Sequence, residues 1–140
     1  MADLTYNAES VPVTLGGTDG KTNVLKTGTL VTTAVTAGQV VLTYTVTAAK
    51  TFFLEYMEWE AYLTNLPGNA NPIALGAISL ETPSGTKCIT SQLFHPPTSG
   101  VVFTFAEPVP IAAGVVVRVV VTPATATSMT WGANFGGYER

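Results

Sequence analysis

From Leu30 onward, apolar and polar positions alternate in short runs separated by Pro- and Gly-bearing breaks. In a strand, successive side chains point to opposite faces, so each run predicts which residues turn inward. Gln39–Thr47 places Val40, Leu42, Tyr44 and Val46 toward a core, against Val41, Thr43, Thr45 and Thr47. The run from Thr51 to Thr64 puts Phe53, Met57, Trp59, Ala61 and Leu63 on one face. Leu54, Tyr56, Glu58, Glu60 and Tyr62 take the other. Ile73–Glu81 and Lys87–Leu93 flank Thr82-Pro83-Ser84-Gly85 and predict a hairpin. Val101–Ala106 is the next strand, Pro108–Gly114 a bend, and Val115–Thr122 a strand with Val115, Val117, Val119 and Val121 inward. Thr127–Phe135 alternates Met129, Trp131, Ala133 and Phe135, and Gly136-Gly137-Tyr138 closes the chain. Leu66–Pro72 and Phe94–Gly100 read as long loops.

No segment carries an apolar stripe of helical period, and Val and Thr are the β-branched residues that fit a pleated surface. About eight strands at short, regular spacing predict an all-β, jelly-roll-like antiparallel β-sandwich. A Greek-key sandwich of immunoglobulin type is the alternative, without the Cys-Trp-Cys spacing of true immunoglobulin domains. Residues 1–28 differ: polar and turn signals surround one brief alternation at Val11, Val13 and Leu15. They read as an extended N-terminal arm that pairs with a sheet edge, leaving 29–140 as the sandwich domain.

Composition changes this picture in one respect. Only 11% of the 140 residues are charged, against about 25% in ordinary globular chains. A free-standing domain of this size ordinarily carries more charge for solubility, so this surface reads as one that other copies or a larger assembly cover. Six scattered basic residues and a net charge of −3 disfavour a nucleic-acid partner, which requires clustered Lys and Arg. The single cysteine, Cys88, excludes an internal disulfide framework. The first residues show neither a basic nor an apolar leader region, and the apolar run Val115–Val121 is too short to span a bilayer and is interrupted by Arg118. The expectation is a protein made in the cytoplasm with no membrane partner.

Candidate chemistry is sparse. His95, the only histidine, sits in a loop with no nucleophile elbow or protease signature near it or near Cys88. Glu58 and Glu60 share a strand face, with Glu55 opposite; paired carboxylates serve glycosidases and Ca²⁺ sites, but any exposed sheet face also shows such a pair. The reading is no enzyme, no cofactor and no metal. Trp59 and Trp131 fall inside alternating sets and read as core. Tyr56 and Tyr62 beside the acids, and Val116, Arg118 and Val120 on the last Val-rich strand, have the composition of an interface.

Four stretches carry a family resemblance: Ala49-Lys50-Thr51-Phe52-Phe53-Leu54, Ile78-Ser79-Leu80-Glu81, Val102-Phe103-Thr104-Phe105 with Pro108-Val109-Pro110-Ile111-Ala112-Ala113-Gly114-Val115, and the end from Trp131 to Glu139. Together they resemble bacteriophage capsid decoration (cement) proteins and head- or tail-fibre β-sandwich domains. The resemblance implies a non-enzymatic virion protein on the capsid surface, often a trimer, that binds the major capsid protein or another virion protein. Within it, Leu4, Tyr6, Val11, Val13 and Leu15 are the expected arm contacts. Tyr56, Tyr62, Val116, Arg118 and Val120 form the expected lateral face. A receptor- or carbohydrate-binding fibre domain that uses the two long loops is the alternative.

Overall fold

The computed structural model describes residues 20–33, 36–63, 75–93, 98–124 and 128–140. Within them run eight strands: β1 (Thr22–Thr32), β2 (Gln39–Thr45), β3 (Phe52–Leu63), β4 (Gly76–Glu81), β5 (Lys87–Leu93), β6 (Thr98–Ile111), β7 (Val116–Pro123) and β8 (Met129–Glu139). They form two antiparallel sheets of order β1-β8-β3-β6 and β2-β7-β4-β5. The pairing follows one rule. β4 pairs with β5, β3 with β6, β2 with β7 and β1 with β8, as if one long hairpin were turned at residues 82–86 and wrapped on itself. Successive pairs fall in opposite sheets, which is the jelly roll the alternation predicts.

The core lies between the sheets. Trp59, Trp131, Phe52, Phe135, Met57, Ile78 and Val117, Val119 and Val121 are fully buried there. Both tryptophans are core residues, and their polar tips differ. Trp131 Nε1 donates to Thr32 Oγ1 at 3.0 Å, whereas buried Trp59 Nε1 meets no acceptor among the described residues and packs edge-on against Phe103 with centroids 5.3 Å apart.

Three expectations change, each for a local reason. In β3 the register against β8 shifts between Leu54 and Tyr56, so Glu55 is an extra, exposed bulge residue. The bulge reverses the alternation: Phe52 and Leu54 are buried, and Phe53 turns outward to stack on Tyr138 at 5.0 Å. A second shift, between Val40 and Leu42, leaves Val40 44% exposed and sets Val41 with Leu42 and Tyr44 against the core. Third, the expected bend at 108–111 and the expected close at Gly136 are strand. β6 tolerates Pro108 and Pro110 because it is an edge strand, where a missing N–H breaks no ladder. At the other end of the chain, β1 starts at Thr22, upstream of the boundary read from sequence, and pairs with β8 without interruption.

One end of the sandwich is sewn shut. Val46 N donates to Val115 O and Gly114 N to Val46 O, both at 3.0 Å, while Thr51 and Arg140 exchange backbone hydrogen bonds. Glu139, 4% exposed, crosses from the first sheet to the second. Its Oε1 accepts from the Tyr44 hydroxyl and from Thr47 N at 2.8 Å. Burial, with the Glu139 hydrogen bond and charge added, pushes the Tyr44 phenol up to about 12. Burial alone raises the Glu139 carboxyl, but the bonds from Tyr44 and Thr47 outweigh it and leave it below the usual carboxylate range.

Two expectations follow. A carboxyl depressed in the folded state contributes stability that is present above its unfolded pKa, near 4.3, and lost as pH falls through the lower folded value. The melting temperature should therefore drop as pH goes below about 4. The Glu139→Gln variant should melt lower at pH 7, by about 1–2 kcal/mol, and show a shallower acid limb in calorimetry. Trp131→Phe strands the buried Thr32 hydroxyl, while Trp59→Phe removes a donor that lacks a partner; denaturant unfolding should find the former worse by about 1 kcal/mol.

Candidate interaction surfaces

The register of the first sheet sets its outer face in rows. Leu25, Gly136, Tyr56 and Thr104 lie in one line across β1, β8, β3 and β6; Thr27, Asn134, Glu58 and Val102 in the next; Thr29, Gly132, Glu60 and Gly100 in the third; Val31, Thr130 and Tyr62 in the fourth. The two glycines on β8 keep its outer side low. A Cβ on Gly136 would stand 2.6 Å from the Tyr56 ring, and one on Gly132 would stand 2.7 Å from the Glu60 carboxylate. Both side chains therefore lie flat across β8. Thr27, Thr29, Glu58, Glu60, Gly132 and Asn134 line a cleft of about 110 Å³, and Asn134 Nδ2 donates to Glu58 Oε2 at 3.1 Å.

Large apolar groups surround this cleft. Leu25 is 64% exposed, Val31 58%, Val102 65% and Tyr62 40%, and Tyr56 is half-buried. Toward the sewn end the face finishes in the Phe53–Tyr138 stack. Lys21 Nζ lies 4.6 Å from the Tyr138 ring centre and the Arg140 guanidinium 5.4 Å from that of Phe53. The face thus has an acidic centre, apolar flanks and a cationic, aromatic end.

The expected lateral set does not share one face. Tyr56 and Tyr62 belong to the outer side of the first sheet, whereas Val116, Arg118 and Val120 lie half-buried on the outer side of the second, across the whole sandwich. Arg118 also has a partner that the sequence reading did not assign. Its Nε donates to Glu81 Oε2 at 2.6 Å, directly across the β7–β4 ladder, and the same oxygen accepts from Gly85 N at 2.7 Å. The Arg118 hydrogen bond holds the Glu81 carboxyl below its ordinary value against the opposing effect of burial. This pair pins the β4–β5 turn to β7. Its signal in the sequence was a single charge on each of two neighbouring apolar strands.

Leu4, Tyr6, Val11, Val13, Leu15, His95 and the loop 66–72 lie outside the described residues. Cys88 is exposed, with its Sγ 3.2 Å from Thr82 O. Among the described residues no group of three or more His, Cys, Asp or Glu side chains is placed to hold a metal ion. Sequence reasoning missed Leu25 and Val31, which continuing the alternation of Leu30 backward would have found. It also missed Glu139, because a carboxylate on the inward parity of a terminal strand carries no motif.

No protein-family model matches the chain, and no curated protein matches its sequence. Among solved structures it is similar to a chain of the cyanophage Pam1 capsid asymmetric unit, with a TM-score of 0.50 and 16% identity over 94% of each chain. It is also similar to the decameric BFDV capsid protein, with a TM-score of 0.44 and 8% identity over 85% of this chain and 98% of that one. The likeness to the Pam1 chain is one of fold.

The Glu81–Arg118 pair should behave as a partly buried ion pair. Arg118→Met strands the carboxylate and should lower stability by about 2 kcal/mol, while Glu81→Leu combined with Arg118→Met should recover most of that loss in urea unfolding.

Proposed function

We propose that this chain is a non-enzymatic structural protein of a virion, a decoration or cement subunit that binds the outside of a shell and joins its neighbours. The observation that carries the reading is the outer face of the β1-β8-β3-β6 sheet, where Leu25, Val31, Tyr62 and Val102 are exposed together. Only Glu58 and Glu60 are charged in the rows around them. Exposed apolar and aromatic groups flanking a polar cleft on one sheet face, with no Lys in these rows, suit an interface. The similarity in fold to a chain of a phage capsid asymmetric unit supports the same reading.

In this proposal the first-sheet face, with Tyr56 and Tyr62, is one contact, and the strip Val116, Arg118 and Val120 on the opposite sheet is a second. A subunit with contacts on two opposite faces joins neighbours on both sides, and symmetry sums many weak contacts. Trimers on the capsid surface, bound to the major capsid protein and reached through an N-terminal arm bearing Leu4 and Tyr6, complete the reading.

The test is assembly. Leu25→Asp with Val102→Asp puts two carboxylates on the exposed face, where folding stability should change by no more than about 0.5 kcal/mol each. Native mass spectrometry and co-sedimentation with shells should show the oligomer or the shell binding weakened at least tenfold, about 1.4 kcal/mol. A wild-type protein that stays monomeric and sediments with no shell sinks the proposal.

A further inference from the structure

Of the four sheet edges, β1 is the least guarded. An edge strand offers unpaired N–H and C=O groups, and native proteins blunt it with shortness, proline, bulges or outward charge. β6 carries Pro108 and Pro110 and a register shift against β3. β2 and β5 have seven residues each, and both pair with their neighbours through a shift. β1 is eleven residues long, Pro-free and in unbroken register with β8. Its one charge, Lys26, is turned under the sheet, with Nζ 4.8 Å from the centre of the Tyr44 ring. No strand pairs with its other side among the described residues.

The outward side chains of β1 form a pattern that reads the same in both directions. Leu25, Thr27, Thr29 and Val31 are exposed in turn, apolar at the ends and Thr in the middle, with Gly28 at the centre. An antiparallel copy related by a two-fold axis at Gly28 meets this pattern like for like. Leu25 falls opposite Val31 of the second copy, and Thr27 opposite its Thr29. Apolar pairs and Thr–Thr pairs are favourable cross-strand neighbours. A slip of two residues either way sets Leu25 and Val31 against Thr or Asn, and a slip of one sets outward side chains against inward ones. On the inward side of the axis there is no side chain to read, because a Cβ on Gly28 would stand 2.6 Å from the Val41 carbonyl oxygen of β2. The outward set therefore selects the register, and an edge that is its own complement selects a second copy as its occupant.

We propose that two copies of this chain join β1 to β1, antiparallel about that axis, into one eight-stranded sheet with a continuous outer face. The area sets the strength of the contact. Eleven residues span about 37 Å and the sheets lie about 10 Å apart, so this side of the sandwich offers about 400 Å² per copy. A standard stable interface takes about 800 Å² per partner. The dimer is therefore weak and dissociates on dilution, and it gains from repetition in an assembly. It adds a two-fold contact to the face contacts proposed above and does not depend on them.

Cysteine crosslinking in solution tests the pairing. In a Cys88→Ser background, Leu25→Cys protein mixed with Val31→Cys protein should form a disulfide-linked heterodimer under mild oxidation. Either protein alone should crosslink at least tenfold less, because two copies of one of these positions stand about 20 Å apart in this register. A mixture that crosslinks no better than its components overturns the proposal. So does a mixture that does not crosslink, which leaves the edge to another occupant. A charge swap at the same exposed positions gives a second readout by sedimentation. Leu25→Lys with Val31→Lys in one chain sets like charges opposite each other and should weaken self-association at least tenfold. Leu25→Lys with Val31→Glu sets opposite charges together and should restore it. Equal association of the two variants, or a wild-type chain still monomeric near about 1 mM, overturns the pairing. No shell enters either measurement, so failure here leaves the virion reading standing, and the reverse holds too.

Discussion

A long central strand must keep one side buried along its whole length while the sheet around it twists, and in this molecule the Glu55 bulge meets that constraint. β3 lies between β8 and β6, so its alternation sets the faces of both neighbours. Without the extra residue, Phe52 and Leu54 would turn outward if Met57, Trp59 and Ala61 stayed inside. With it, all five reach one core. The outer face inherits the shift: Phe53 lands on Tyr138. Glu139, paired with Phe52, faces inward by the unbroken alternation of β8 that also buries Met129, Trp131 and Phe135, and there it reaches Tyr44.

The same bulge explains which parts of the fold were legible in the sequence. Alternation alone predicts strands at β2 to β8, the hairpin at 82–86, both buried tryptophans and the inward valines of β7, but reads most of β1 (Thr22–Thr32) as part of the arm. It could not find Glu55, because an extra residue leaves no compositional mark within a run that is apolar on both faces. Phe53 and Leu54 were consequently assigned to the wrong sides, and Val40 for the same reason at the β2 shift. Pro108 and Pro110 were read as a bend because a sequence does not say which strand is an edge. The outer-face pair Tyr56 and Tyr62 was legible. Its separation from Arg118 by the thickness of the sandwich was not, since that depends on how the strands are dealt between the sheets.

Scarcity of charge gains a more definite meaning from the placement of the charges. Glu81 and Glu139 are buried, and each is held by two hydrogen bonds; they join strand to strand and sheet to sheet. Burying an ion is costly unless it is paired and hydrogen-bonded, so these two carboxylates act as fasteners at the turn and at the chain end. Lys21, Lys26 and Arg140 lie against aromatic rings. Few charges are left to keep the broad sheet faces in water, and those faces are where Leu25, Val31, Val102 and Tyr62 stand exposed.

Edge protection and face exposure then act in opposite directions. Proline, bulges and short strands guard three of the four edges against indiscriminate strand addition, which a chain this rich in Val and Thr would otherwise invite. The faces carry no such guard. A subunit that must meet neighbours in a fixed geometry benefits from this division, because side-chain packing on a rigid face specifies one orientation, whereas an open backbone edge accepts almost any strand. On this argument the unguarded β1 edge is the exception among the described strands.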